Sequence, residues 1–265
     1  MEGLRARVDA LVSESADWLI DIRHELHAHP ELSNREERTA ALVAGHLREL
    51  GIDEVRTSIA GHGVVGVLRG GGTGDRVIAL RADMDALPVR ETSGVPFAST
   101  VVDATYPGGP FPVAHACGHD CHVATVLASA RVLAGVRDAL PGTVMFLPPR
   151  RVRRWVRPVV PRRCSTVGPS PTQPSMVFGM HVSALPRSTV GYRVGTQYAA
   201  SCVIRIEVAG VQAHASTPWL GVDHARRGSH HHGLAQAAAR CPPTADPVSI
   251  GHVEDVGRFT SSASG

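Results

Sequence analysis

Between residues 115 and 122 the chain reads His115-Ala116-Cys117-Gly118-His119-Asp120-Cys121-His122. Thiolate and imidazole are the natural donors for borderline-soft divalent metals. The single glycine between Cys117 and His119 lets the backbone bend so that both side chains converge. Residues two apart on a helix do not share a face, so this pair is expected on the turn that precedes a helix. The cluster alone leaves two readings open: a metal site, or a structural turn around a buried cysteine. A second run, Arg81-Ala82-Asp83-Met84-Asp85-Ala86-Leu87-Pro88, follows an apolar strand directly. Two carboxylates at a strand end can hold or orient ligands; the alternative is a solvated turn closed by Pro88. His181 ends an apolar run from Met176, where a lone histidine is either structural or a ligand.

The elements that must position these residues alternate between helix and strand. Leu4, Val8, Leu11, Val12, Trp18, Leu19, Ile22 and Leu26 recur at three- and four-residue steps, which predicts an amphipathic helix over 4–28, stopped by Pro30. A second helix is expected over 35–50, ended by Gly51. Strand-like runs follow at 63–68 and 76–81, separated by the glycine-rich turn 70–74. A helix is expected to open with Asp120 as its N-cap and to carry Val123, Val126, Leu127 and Val132. Residues 143–147 and 176–182 are further short apolar runs. The alternation argues for an α/β sandwich with its site at a strand-to-helix edge.

From about Gly191 the texture changes. Residues 201–209 alternate, with Cys202, Ile204, Ile206 and Val208 on one face and Arg205 and Glu207 on the other. A sheet with one wet side suits a separate small α+β unit, and 248–253 is its next candidate strand. Two segments, 148–174 and 224–243, have neither helical nor strand period. The first is rich in arginine and proline; the second contains His230-His231-His232.

The chain has 265 residues and 43% hydrophobic content, enough to bury a core. No apolar stretch approaches the roughly 20 residues that span a bilayer, and the opening residues, without an apolar run behind a basic start, are not expected to form a signal peptide. The five cysteines are scattered, which fits reduced thiols in a cytoplasm. The formal net charge is +3, but seven arginines fall between Arg150 and Arg163, and without them it becomes −4. That run has one aromatic, Trp155, and no helical period, so no nucleic-acid partner is expected.

Taken together, ordered motifs carry a resemblance to a known family. They run from Arg23-His24-Glu25-Leu26-His27-Ala28-His29-Pro30-Glu31-Leu32 through the Asp83–Pro88 and His115–Asp120 runs to Phe178-Gly179-Met180-His181-Val182. They resume at Gly210-Val211-Gln212-Ala213-His214-Ala215-Ser216-Thr217-Pro218 and Leu220-Gly221-Val222-Asp223. The chain resembles the hippurate hydrolase, indole-acetyl-amino-acid hydrolase and N-acyl-amino-acid amidohydrolase group of the zinc aminoacylase/carboxypeptidase superfamily.

The resemblance implies a two-layer or three-layer α/β metallohydrolase catalytic domain, of which 1–188 is the N-terminal part with 148–174 aberrant. It also implies an inserted α+β lid or dimerisation domain, represented incompletely by 189–265. Cys117, His119 and His181 would be metal ligands, Asp85 a supporting carboxylate, and His214 a substrate-binding residue of the lid. Two divalent ions (Zn, Mn, Ni or Co) are expected, with an N-acyl amino acid as substrate and a homodimer through the lid.

The sequence departs from that family where the family carries an adjacent glutamate pair, its general base and a ligand, in an Ala-Glu-Glu-Gly setting. Pro148-Pro149-Arg150-Arg151-Val152 stands there instead, and arginine neither ligates a metal nor accepts a proton. All 27 basic residues are arginine, which implies GC-rich codons. The five residues can be encoded CCG CCG AGG AGG GTG, and reading from the third base gives Ala-Glu-Glu-Gly. Base shifts are therefore expected to have replaced residues near 148–174 and truncated the product after Phe259. The alternative reading is a catalytically inactive metal-binding or dimerisation remnant.

Overall fold

The computed structural model describes residues 2–106, 109–147, 174–192, 194–195, 214, 216–217 and 220. The aberrant segment (but for Pro174), the alternating run 201–209, the His-rich segment and the 248–253 strand lie outside the described residues. The chain divides into two compact units, Met1–Ala184 and Leu185–Gly265.

The first unit opens with helices α1 (Glu2–Glu14) and α2 (Ala16–Ala28). The single helix expected over 4–28 is thus broken at Ser15. The buried Ser15 hydroxyl donates to the Leu11 carbonyl at 2.6 Å, a back-bond that competes with the regular ladder and bends helices. Only α2 reaches the core, through Ile22 and Leu26; α1 buries nothing and is tethered by Arg7, which donates to both carboxylate oxygens of Asp138.

Helix α3 (Glu37–Glu49) buries Ala40, Val43, Ala44 and Leu47, an i, i+3, i+4, i+7 stripe. Its end is set by Gly51 at φ +67°. The Ile52 amide donates to Leu47 O at 3.1 Å and the Gly51 amide to Arg48 O at 3.0 Å, the paired bonds of a Schellman stop.

Seven strands follow among the described residues: β1 (Glu54–Ile59), β2 (Gly63–Arg69), β3 (Val77–Arg81), β4 (Val102–Asp103), β5 (Phe111–Pro112), β6 (Thr143–Leu147) and β7 (Met176–Gly179). Helix α4 (His119–Gly135) lies between β5 and β6. The main sheet has the order β1-β2-β6-β3-β7. β1 and β2 are antiparallel, as are β2 and β6, while β3 runs parallel to both β6 and β7.

Strand parity divides the core. Val64, Leu68, Val144 and Phe146 face α2, α3 and α4, while Val65, Val67, Val77, Ala79 and Met145 form a second buried cluster on the other face. Both faces being buried explains why β2 and β6 read as continuous apolar runs rather than alternating ones. The structure is an α/β fold, as the sequence predicted.

The topology also locates the site. The chain goes from β3 through α4 to β6 on one side, then returns past β3 to β7 on the other. Such a reversal opens a crevice at the carboxyl ends of the strands, where open α/β sheets bind ligands. Arg81 pairs in register with Leu147 and with Gly179, so all three strands end at that edge.

Candidate metal centre

Three elements deliver the donors. Cys117 lies on the turn before α4, His119 is the first residue of that helix, and His181 follows the end of β7. The predicted pair therefore straddles the helix start rather than preceding it. Strand β7 stops at Gly179, so His181 stands two residues beyond the strand it was expected to close.

One donor atom from each of Cys117, His119 and His181 lies within 4.8 Å of the others. Cys117 Sγ and His181 Nε2 are 3.3 Å apart. The other ring nitrogens are committed to carbonyls: His119 Nδ1 to Asp85 O at 2.7 Å, and His181 Nδ1 to Val182 O at 2.6 Å. A carbonyl only accepts, so each Nδ1 carries the proton and each Nε2 keeps its lone pair, the tautomer a metal ligand needs.

Asp85 supports His119 doubly, since its Oδ1 is also 3.0 Å from His119 Nδ1. Burial lowers the His119 pKa, but the Asp85 hydrogen bonds and charge outweigh it and hold it above the ordinary value. Asp83, the other carboxylate of the run, is paired with Arg81.

Asp120 does not cap α4. The N-cap is Gly118 at φ +78°, a left-handed conformation open to glycine at little cost. Its absent side chain also matters, because a Cβ there would lie 2.3 Å from Val182 Cγ2. Asp120 instead lies buried in the first turn, where Oδ2 accepts from Arg23 Nε at 2.9 Å and meets His27 Nδ1 at 2.7 Å. Burial works to raise its pKa, yet His115, His27 and Arg23 hold it below the usual carboxylate range. His27 Nε2 continues the chain to Glu91 Oε2 at 3.0 Å.

Sequence reasoning gave no role to His122 or Glu91. His122 is buried and accepts the Val182 amide at its Nε2, 2.9 Å away. Burial, then the neighbouring His181 and His119, push its pKa down to about 4. Burial likewise takes His115 to about 4. The one signal for His122 was its place one turn beyond the Cys117–His119 pair; Glu91 had none.

In the second unit, His214 Nδ1 lies 2.7 Å from Ser216 Oγ and accepts the Ser216 amide at 3.2 Å. An amide can only donate, so in the neutral ring Nε2 bears the proton and is a donor.

A match to Peptidase family M20/M25/M40 covers residues 79–148, which includes the end of β3, Asp85 and the Cys117–His119 turn. A hydrolase of Synechocystis is 38% identical over 77% of this chain and 49% of its own length. Thermostable carboxypeptidase 2 of Saccharolobus solfataricus is 37% identical over 80% and 51%. The N-acyl-L-amino acid amidohydrolase of Geobacillus stearothermophilus is 33% identical over 83% and 56%. The chain thus spans about half the length of the curated relatives it matches.

Among solved structures, the Bacillus subtilis YXEP protein, a dinuclear metal binding peptidase from the M20 family, superposes with a TM-score of 0.51. It is 32% identical over 66% of this chain and 44% of that one. An aminohydrolase from methicillin resistant Staphylococcus aureus gives a TM-score of 0.61, at 29% identity over 92% and 61%. Fold, donor set and relatives make this chain similar to one class, the metal-dependent hydrolases. Within that class, the similarity is to the M20 peptidase/amidohydrolase superfamily.

The donors fit one divalent ion: a thiolate and two imidazole Nε2 atoms leave room for a further ligand, as an open site requires. The described residues do not by themselves supply a second complete set.

Proposed function

We propose that this chain carries the metal centre of an amidohydrolase that cleaves the amide bond of N-acyl amino acids. The observation that carries the reading is the convergence of Cys117, His119 and His181 at the strand ends, with both imidazoles in the ligating tautomer. A divalent metal at such a site polarises a carbonyl and lowers the pKa of water. Asp85 orients His119, and the backbone of Val182 orients His181. The substrate class follows the Geobacillus relative, whose name specifies N-acyl-L-amino acids. A dinuclear centre follows the YXEP protein, a dinuclear metal binding peptidase, and Zn, Mn, Ni or Co are the ions that the family resemblance implies. By the family resemblance, residues 189–265 would act as the lid and dimerisation domain, with His214 as its substrate-binding residue.

A second reading has its own support: a remnant that binds metal without turning over substrate. In the chain as written Arg150 and Arg151 occupy the place of the glutamate pair, and the family match ends at residue 148, where the proline-arginine run begins. A missing general base costs roughly 10²–10⁴ in rate. A base shift near codon 148 is the proposed origin of the run, and resequencing the gene there tests it directly.

The two readings separate in one assay. The full chain is supplied with Zn, Mn, Ni or Co and offered hippurate and N-acetyl amino acids, beside Cys117→Ala and His181→Ala variants. Hydrolysis that both substitutions abolish supports the enzyme; metal uptake with background hydrolysis supports the remnant. Failure to bind any of the four metals defeats both.

A further inference from the structure

The Cys117–His119 turn and the His181 segment lie more than sixty residues apart in sequence, and something must hold them together before a metal arrives. Two contacts do so. The Val182 amide donates to His122 Nε2 at 2.9 Å, while the Val182 side chain lies against the bare Cα of Gly118. The acceptor projects from α4, three residues after ligand His119, and the donor adjoins ligand His181. The rings report the same closeness, with centroids of His122 and His181 4.5 Å apart and those of His122 and His119 5.3 Å apart.

We propose that His122 is a positioning residue: by accepting the Val182 amide it docks the segment after β7 onto α4 and so places His181 beside Cys117 and His119. The inference rests on the metal-centre reading above. His122 itself is not a ligand, because its Nε2 is occupied by the amide and Nδ1 then bears the proton of the neutral ring. It acts on the metal only through where it holds His181. A buried leucine of similar size would keep the packing and lose the docking. Glutamine would keep an acceptor at comparable reach.

The test is a cobalt(II) titration of the full chain, reading the near-ultraviolet thiolate-to-cobalt charge-transfer band that Cys117 would give. If the chain shows no such band, or the band survives Cys117→Ala, the metal-centre reading fails and this inference falls with it. Where the band is present and depends on Cys117, the expected result is that His122→Leu weakens cobalt binding by about 10–100-fold, the usual effect of losing an outer partner of a ligand. The band should persist at saturation.

His181→Ala should weaken binding at least as much, and the double variant should be no weaker than His181→Ala alone, since both changes remove one interaction. His122→Gln should regain most of the affinity, a rescue that a merely space-filling role would not produce. Wild-type affinity in His122→Leu, or losses that add in the double variant, overturns the inference and leaves the metal reading intact.

Should His122→Leu fail to fold, His122→Met takes its place as a side chain of similar bulk that offers the Val182 amide no comparable acceptor. Weakened cobalt binding in that variant supports the docking. Wild-type affinity overturns it.

Discussion

His27 Nδ1 and Asp120 Oδ2 lie 2.7 Å apart, a buried bond that ties helix α2 to the first turn of α4. Asp120 directly follows His119, a proposed ligand, so this bond fixes the helix end from which that side chain projects. Removing one partner of a buried charged pair costs about 3–5 kcal/mol. Because Arg23 is partly exposed, Asp120→Ala is expected near the lower end, about 3 kcal/mol. Urea denaturation of the two proteins measures it, and an unchanged midpoint would refute the role.

Phe146 is fully buried at the centre of the sheet, on the face that meets the helices. Phe146→Ala should cost about 3–5 kcal/mol through lost burial and the cavity left behind. The same denaturation experiment reads it. A loss below about 1 kcal/mol would mean that the β6 centre is not the packed core described here.

Glu36 is fully buried beside the strand-end site, and burial raises its pKa above the ordinary 4.5. A carboxyl raised on folding binds its proton more tightly in the native state. Its contribution is therefore present below the unfolded pKa and is lost as pH rises through the native value. Glu36→Gln, which cannot ionise, should gain in thermal midpoint over the parent as pH rises from about 4 toward 8. A difference that stays flat, or that shrinks with rising pH, contradicts the assignment.

Metal binding to the native state alone must stabilise it by mass action. At a free metal concentration 100 times the dissociation constant the gain is about 2.7 kcal/mol. Zinc or cobalt should therefore raise the melting temperature, a chelator should reverse the rise, and His119→Ala should remove most of it. Equal shifts in the variant would place the metal elsewhere.

Two of the donors were legible in the sequence because few residue types ligate such metals and Cys117 and His119 stand within three residues of each other; His181, more than sixty residues on, came only from the family resemblance. β6 and the stop of α3 were equally plain, the first from its apolar run and the second from Gly51. Strand β1 was not, because Glu54, Arg56, Thr57 and Ser58 leave it little apolar signal and most of it stays partly exposed. The helix break at Ser15 and the glycine cap of α4 escaped because serine back-bonding and a left-handed φ leave no periodic trace. The roles of His122 and Glu91 depend on partners 60 and 64 residues away, beyond any local pattern.

Both imidazoles of the proposed centre, those of His119 and His181, are oriented by main-chain carbonyls, of Asp85 and Val182. A carbonyl is common to every residue type, so no single substitution at those two positions removes the acceptor. Inheritance can then erase catalytic groups around such a centre while its grip on an ion persists. In a lineage drifting away from its reaction, affinity for metal should be among the last traits to disappear.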